Sequence, residues 1–272
     1  MPIFIRPLTI ADVLDGAFHV IMARPRTIIT IAAWFVLPVG LLVAYFDVGL
    51  LGGDFVTALT DPATFEEGSN STGGNFGLSI LSTLGPSALI THMAAQIARV
   101  VEGGYLGRDL TARQAMAGLG WSWVAVVVAF VVVHLLEALG TLLLVLPGLA
   151  AMALFMVTTP VLAIERLGPF RAIRRSFHLV RQRFWPTMWI ALLAGLVSNT
   201  LSIVLPLLPV AVVAQFGLGG EQYVVAVGTI AASLLTLPFV AASAVLAYLD
   251  LRVRTEGMDL ELAIVEQFED RA

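Results

Sequence analysis

The sequence predicts an all-α fold, a polytopic bundle of transmembrane helices, and three observations lead to that prediction. Apolar residues make up 58% of the 272-residue chain and charged residues only 12%. This charged fraction is about half of that in a soluble domain. The apolar residues fall in six long runs, each close to the roughly 20 residues that a helix needs to cross a bilayer. All fifteen basic side chains are arginines, and they lie in alternate segments between these runs.

The six predicted spans cover residues 27–47, 77–101, 121–146, 148–165, 185–214 and 222–249. The bilayer interior offers no water to backbone groups, so each span should be a helix. Pro147 and Gly148 separate the third span from the fourth. Residues 48–76, rich in Gly, Ser, Thr and Asn, should form a loop on the outer side.

The arginines predict the orientation of these spans. Three precede the first span, three lie at the end of the second span or between it and the third, six lie between the fourth and fifth, and three follow the sixth. With six spans, all of these segments fall on one side, and the positive-inside rule makes that side cytoplasmic. Both termini should then be cytoplasmic. The use of arginine alone, with much Ala, Val and Leu, is typical of GC-rich bacterial genomes and favours a bacterial inner membrane.

A basic amphipathic helix is predicted within residues 166–184. Its apolar residues fall on one helical stripe, and its arginines lie on the opposite face. The stripe consists of Phe170, Ile173, Phe177, Val180 and Phe184. Such a helix should lie in the cytoplasmic interface of the membrane, as an elbow that leads into the next span.

Two weaker copies of this elbow are predicted at residues 1–26 and 102–120. Thr9 with Asp12, and Thr111 with Gln114, have the spacing of a capping box at a helix start. The expected stripe of the first copy is Ile10, Leu14, Ala17 and Ile21. The chain should therefore consist of three elbow-plus-hairpin units (spans at 27–101, 121–165 and 185–249), followed by a cytoplasmic tail at 250–272 with a helix near Asp259.

Seven arginines are candidates for contacts with anionic lipid headgroups: Arg171, Arg174, Arg175, Arg181, Arg183, Arg24 and Arg26. A juxtamembrane basic cluster is attracted to an anionic membrane by about 1 kcal/mol per residue. Two other interpretations stay open. The arginines would also lie there if they only fixed the topology, or if they formed a site for one specific lipid or partner.

Five polar side chains fall inside the predicted spans: His92, Gln96, His134, Glu137 and Asn199. Ionisable groups at that depth are costly and count as functional hypotheses. If the second and third spans form a hairpin, the pairs His92–Gln96 and His134–Glu137 could meet at mid-depth. They would serve either as a proton or cation relay or as interhelical hydrogen bonds that fix the packing.

The sequence indicates no enzyme, no cofactor and no metal site. The chain has no cysteine, which excludes thiolate chemistry, and it lacks the hydrolase, nucleotide-binding and zinc-protease motifs. Nucleic acid is not an expected partner, because the basic faces should lie at the membrane surface. The first hypothesis is a non-enzymatic scaffold or accessory subunit that engages anionic lipid and a membrane or cytoplasmic partner. The alternative is a transporter or channel for a lipid or small solute that uses the intramembrane His, Glu and Asn.

Three sequence blocks resemble a bacterial family, the glycerophosphoryl diester phosphodiesterase membrane domain, which is common in actinobacteria and related to YciC-like integral membrane proteins. The blocks are RPLTIADVLDGAFHVIMARPRTI at 6–28, GPFRAIRRSFHLVRQRFWP at 168–186 and YLDLRVRTEGMDLEL at 248–262. The resemblance implies a membrane domain over nearly the whole chain. It does not imply phosphodiesterase activity, which belongs to members fused to a catalytic domain, and no such domain is expected here.

Overall fold

The computed structural model describes residues 7–50, 76–105, 108–118, 122–217 and 220–257, and it is all-helical in these ranges. The predicted fold class is confirmed at that level. The helices are α1 (Ile10–Ala23), α2 (Pro25–Leu50), α3 (Phe76–Tyr105), α4 (Ala112–Ala117), α5 (Ser122–Leu143), α6 (Val145–Phe155), α7 (Thr158–Glu165), α8 (Pro169–Arg181), α9 (Phe184–Gln215) and α10 (Glu221–Glu256). Most of the predicted outer loop at 48–76 and the predicted tail helix near Asp259 lie outside the described residues.

Five segments are long and apolar enough to cross a membrane, judged by length and composition. They are Pro25–Ala44, Trp123–Leu143, Val145–Glu165, Phe184–Gln215 and Tyr223–Glu256. These five correspond to five of the six predicted spans. Helix α3 occupies the place of the remaining one, the second, but it is not among these five, and it carries the polar residues Ser87, Thr91, His92 and Gln96.

Helices α5 and α6 form a tight hairpin whose turn lies earlier than predicted. The turn residue is Leu144, with extended backbone at φ −165° and ψ 153°. Pro147 lies in the first turn of α6, where its missing N–H costs nothing. A Cβ atom on Gly148 would lie 2.0 Å from Thr141 Oγ1, so glycine is required by the close approach of the two helices.

Helix α10 is the centre of the bundle, and it packs against α9, α3, α2 and α1. Its 36 residues correspond to about 54 Å at 1.5 Å per residue. The half that ends at Glu256 is buried, with alanines such as Ala241 and Ala247 allowing close contact with neighbouring helices. The half that begins at Glu221 exposes Tyr223 and Val227. The core therefore lies at the Glu256 end of the bundle.

The local signals for α1 and α4 are confirmed. Both capping boxes are formed, one by Thr9 and Asp12 and the other by Thr111 and Gln114. The buried face of α1 is shifted slightly from the predicted stripe, and it consists of Val13, Ala17, Val20 and Ile21. Ile10 and Leu14 pack at the edge of the core.

Polar contacts join the arginine-bearing segments to one another. Arg24, before α2, pairs with Asp109, before α4. Near the end of α10, Asp250 accepts a hydrogen bond from the backbone N–H of Leu8 at 2.7 Å. Arg175 on α8 pairs with Glu256 at the end of α10. These segments therefore lie at the same end of the bundle, which we call the arginine end.

Candidate lipid-facing helix and intramembrane cavity

Helix α8 has three faces, where the sequence pattern predicted two. One face packs against the bundle and consists of Ala172, Ser176, Leu179 and Val180. At 100° per residue these positions point in one direction. Ser176 is wholly buried, and its hydroxyl donates a hydrogen bond to the Leu154 carbonyl at 2.8 Å. This face fixes α8 against the end of α6.

The second face of α8 is apolar and exposed. Phe170 retains 68% and Phe177 retains 41% of its accessible surface. Ile173 and Phe184, from the same predicted stripe, are half-buried, and Val180 has moved to the packed face. Some residues of the predicted stripe therefore pack against the protein and others face its surroundings. Apolar periodicity alone does not distinguish a face that packs against protein from a face that is exposed.

The third face of α8 is basic and exposed. Arg171, Arg174, His178 and Arg181 are all exposed. Within the described part of the chain, Arg171, Arg174 and Arg181 form no ion pair with an acidic side chain. Arg174 lies four residues after Phe170, so an exposed basic side chain and an exposed aromatic ring are neighbours on the helix surface.

The other four predicted headgroup arginines have different surroundings. Arg26 is exposed and Arg183 is half-buried. Arg24 retains only 17% of its side-chain surface and pairs with Asp109. Arg175 points inward to two glutamates. Arg24 and Arg175 are therefore engaged with protein.

Arg175 is the centre of a cluster that sequence reasoning missed. Its Nε lies 3.1 Å from both carboxylate oxygens of Glu165, and its guanidinium also pairs with Glu256. The Tyr248 hydroxyl donates to Glu165 at 3.1 Å, and Arg252 donates to Glu256 at 2.8 Å. We call these five residues the Arg175 cluster.

The electrostatics of the Arg175 cluster favour the charged guanidinium. Burial opposes that charge, but the hydrogen bond to Glu256 and the attraction of Glu165 outweigh burial and raise the pKa of Arg175. The cluster therefore ties α8 to the ends of α7 and α10. Arg175 lies three residues after Ala172 and four before Leu179, at the edge of the packed face, but only the structure identifies that face.

Two of the five predicted intramembrane side chains line a cavity of about 260 Å³. They are His134 and Glu137, both on α5. The other walls come from α3, α6, α7, α9 and α10. On α9 the lining residues Ala191 and Gly195 lie seven and eleven residues from Phe184, or about 10 and 16 Å along the helix axis. The cavity therefore lies well inside the span.

The other three intramembrane side chains lie elsewhere, so the two predicted pairs are not brought into one site. His92 packs between aromatic rings, with centroids 6.0 Å from Phe35 and 5.3 Å from Trp123. Gln96 is wholly buried, and neither its Oε1 nor its Nε2 has a hydrogen-bond partner among the described residues. Asn199 is exposed on α9 and does not line the cavity.

The hydrogen bonds of His134 define what its ring presents to the cavity. Nδ1 lies 3.0 Å from the Phe130 carbonyl oxygen. A carbonyl oxygen only accepts, so Nδ1 carries the proton and Nε2 of the neutral ring carries a lone pair. Nε2 lies 3.7 Å from Glu137 Oε2, which is too long for a hydrogen bond. His134 therefore presents an acceptor to the cavity, next to the carboxyl group of Glu137 on the same helix.

Among the described residues, no three His, Asp or Glu side chains are grouped closely enough to hold a metal ion. No family model matches the chain, and no curated protein or solved structure matches it either. The resemblance to the glycerophosphoryl diester phosphodiesterase membrane domain therefore stays a prediction. The function has to be argued from the geometry of α8 and of the cavity.

Proposed function

We propose that this protein is a non-enzymatic scaffold or accessory subunit of a bacterial inner membrane that engages anionic lipid through helix α8. In this proposal the arginine end is cytoplasmic, α3 is the sixth span, and the chain forms three elbow-plus-hairpin units. The length of α3 supports its role as a span, because 30 residues correspond to about 45 Å. The contacts among the arginine-bearing segments support a single cytoplasmic side.

The observation that carries the proposal is the pair of exposed faces on α8. Phe170 at 68% exposure and Phe177 at 41% lie on one face of the helix, and an apolar face beside a basic one is typical of a helix at a membrane interface. At a membrane interface, Phe170 and Phe177 would enter the acyl boundary, while Arg171, Arg174 and Arg181 would reach the headgroups. Three such arginines contribute about 3 kcal/mol of attraction to an anionic surface, or roughly a hundredfold in binding.

The packed face and the Arg175 cluster make α8 a fixed platform. Because α8 is tied to α7 and α10 through Glu165 and Glu256, the helix that carries the exposed arginines keeps a constant position relative to the spans. A membrane or cytoplasmic protein partner would recognise this constant surface together with its bound lipid.

The alternative function, a transporter or channel, needs a polar route across the membrane. Only His134 and Glu137 of the five predicted side chains line the described cavity, whereas Gln96 is enclosed and Asn199 lies outside it. The geometry of α8 is the stronger observation, so lipid engagement is the function that we propose.

The test compares two variants that each lose two positive charges at the arginine end. One is Arg171→Gln/Arg174→Gln on α8, and the other is Arg108→Gln/Arg113→Gln, whose arginines are also exposed but lie before and on α4. Native mass spectrometry would count the phosphatidylglycerol molecules retained after extraction. We expect the α8 variant to lose most of them and the α4 variant to keep them. Equal losses would mean a non-specific charge effect, and no loss in either would mean that the arginines only set topology.

A further inference from the structure

We propose that the cavity lined by His134 and Glu137 binds a small apolar molecule that carries one protonated amine. This site is separate from the lipid-engaging face of α8. It would bind a cation, whereas the arginines of α8 would bind anionic headgroups. The proposal rests on the shape, the charge and the hydrogen-bonding groups of the cavity.

The shape and walls favour a small ligand that is mostly apolar. The volume of about 260 Å³ lies just below the range of roughly 300–1,000 Å³ for drug-sized ligands. Most of the wall is carbon, supplied by residues such as Phe130, Met152, Phe155 and Met156. A ligand with a large polar headgroup would leave that headgroup without partners here.

The charge of the lining favours a cation over an anion. Among the lining residues Glu137 is the only carboxylic acid, and there is no arginine. A carboxylate inside a membrane-spanning bundle is costly unless a positive charge accompanies it. An anionic lipid headgroup would add a second negative charge, so it is excluded as the occupant.

The hydrogen-bonding groups favour an amine among cations. His134 Nε2 carries a lone pair and lies 3.7 Å from Glu137 Oε2, so both atoms are acceptors when Glu137 is ionised. An ammonium group has three N–H donors, so one ammonium can donate to both atoms at once.

Gly195 on α9 lies at the open edge of the cavity. It lines the cavity and is exposed, and a Cβ atom built on it would meet no heavy atom of the described residues within 4 Å. A phenylalanine at this position would therefore stand at the entrance without displacing the backbone.

The experiment uses n-hexylamine as the probe and compares it with n-hexanol and hexanoate, which have the same chain length. The protein is placed in phosphatidylcholine nanodiscs, and binding is followed by saturation-transfer NMR with protein-free nanodiscs as the blank. We expect hexylamine to bind more tightly than hexanol, and hexanoate to bind least. Glu137→Gln should weaken hexylamine binding by at least about tenfold and change hexanol binding by less than about twofold. Gly195→Phe, which narrows the entrance, should weaken the binding of hexylamine and of hexanol alike.

The matched control is Glu102→Gln, which removes a carboxylate of α3 that does not line the cavity and should leave hexylamine binding unchanged. Three results would overturn the proposal: hexylamine binding that is unaffected by Glu137→Gln, hexanoate binding that equals hexylamine binding, or a hexylamine signal no stronger than that of the blank. If Gly195→Phe fails to fold, the near-isosteric Glu137→Gln still decides the question. Retained phosphatidylglycerol should be the same in Glu137→Gln and wild type, so this test can fail without affecting the function proposed for α8.

Discussion

Replacing Arg175 with alanine should destabilise the protein far more than replacing its neighbour Arg174. Arg175 pairs with Glu165 and Glu256, whose side chains retain 18% and 27% of their surface. A hydrogen bond to a charged group contributes about 1.5–3 kcal/mol, and breaking a fully buried ion pair costs about 3–5 kcal/mol. Because the two glutamates are mostly but not fully buried, we expect Arg175→Ala to lower the free energy of unfolding by about 2–4 kcal/mol.

Arg174→Ala is the matched control, because Arg174 lies on the same helix, is exposed and has no ion pair among the described residues. Its effect should stay within about 0.5 kcal/mol. The free energy of unfolding would be measured by titrating the protein in mixed micelles with SDS while following tryptophan fluorescence. Hydrogen exchange gives a second measurement, in which Arg175→Ala should raise the exchange of the α8 amides.

A double-mutant cycle with Glu256→Gln separates the pair from the rest of the cluster. If the ion pair acts as the structure indicates, the coupling free energy between positions 175 and 256 should fall in the range of about 1–3 kcal/mol. The reasoning is refuted if Arg174→Ala and Arg175→Ala destabilise the protein equally, or if the cycle shows no coupling.

Two further predictions concern the contacts that hold the ends of the bundle. Asp250→Ala leaves the Leu8 N–H and the Arg254 guanidinium without their shared acceptor and should cost about 2–3 kcal/mol. The Leu8 amide should then exchange faster, whereas Asp15→Ala, which removes a carboxylate that is 73% exposed, should change neither quantity. Gly148→Ala places a Cβ 2.0 Å from Thr141 Oγ1 and should lower the free energy of unfolding by about 1–3 kcal/mol. A Cβ atom on Gly195 would meet no heavy atom of the described residues within 4 Å, so Gly195→Ala should instead raise the free energy of unfolding by up to about 1 kcal/mol. Equal effects of the two glycine variants would contradict the packing described for the hairpin.

The features that the sequence predicted well are those governed by residues close together in the chain. The capping boxes of α1 and α4 depend on two residues three positions apart, and both are formed. Five of the six predicted spans correspond to helices that are long and apolar enough to cross a membrane, because hydropathy is a local property. The orientation of these spans and the sixth span stay predictions.

The features that the sequence did not reveal depend on which surface each helix turns to its neighbours. Arg174 and Arg175 are adjacent in a run of like charge, yet only Arg175 reaches Glu165 and Glu256. Val180 and Phe177 belong to one apolar stripe, yet Val180 is buried and Phe177 is exposed. Such differences arise from contacts between residues far apart in the chain, which periodicity along one helix does not encode.

The candidate cavity shows the same limit. The spacing of His134 and Glu137 correctly places them on one face of α5, since both line the cavity. Their predicted meeting with His92 and Gln96 does not occur, because His92 turns towards Phe35 and Trp123. The break between α6 and α7 at Met156 and Val157 also had no clear signal in the sequence, although it brings Thr158 to the cavity wall.

The central position of α10 has a consequence for how the protein is made. During synthesis α10 emerges after every other described helix, yet α1 and α2 pack directly on it. In the contact with α1, the ring centroids of Phe18 and Phe239 are 4.4 Å apart. At about 5–20 residues per second, roughly 10–45 seconds separate the synthesis of Phe18 and Phe239. During that time the inner faces of α1 and α2 need temporary cover from lipid or from a chaperone. The first helices of the chain can therefore reach their final places only after the last of the described helices has entered the membrane.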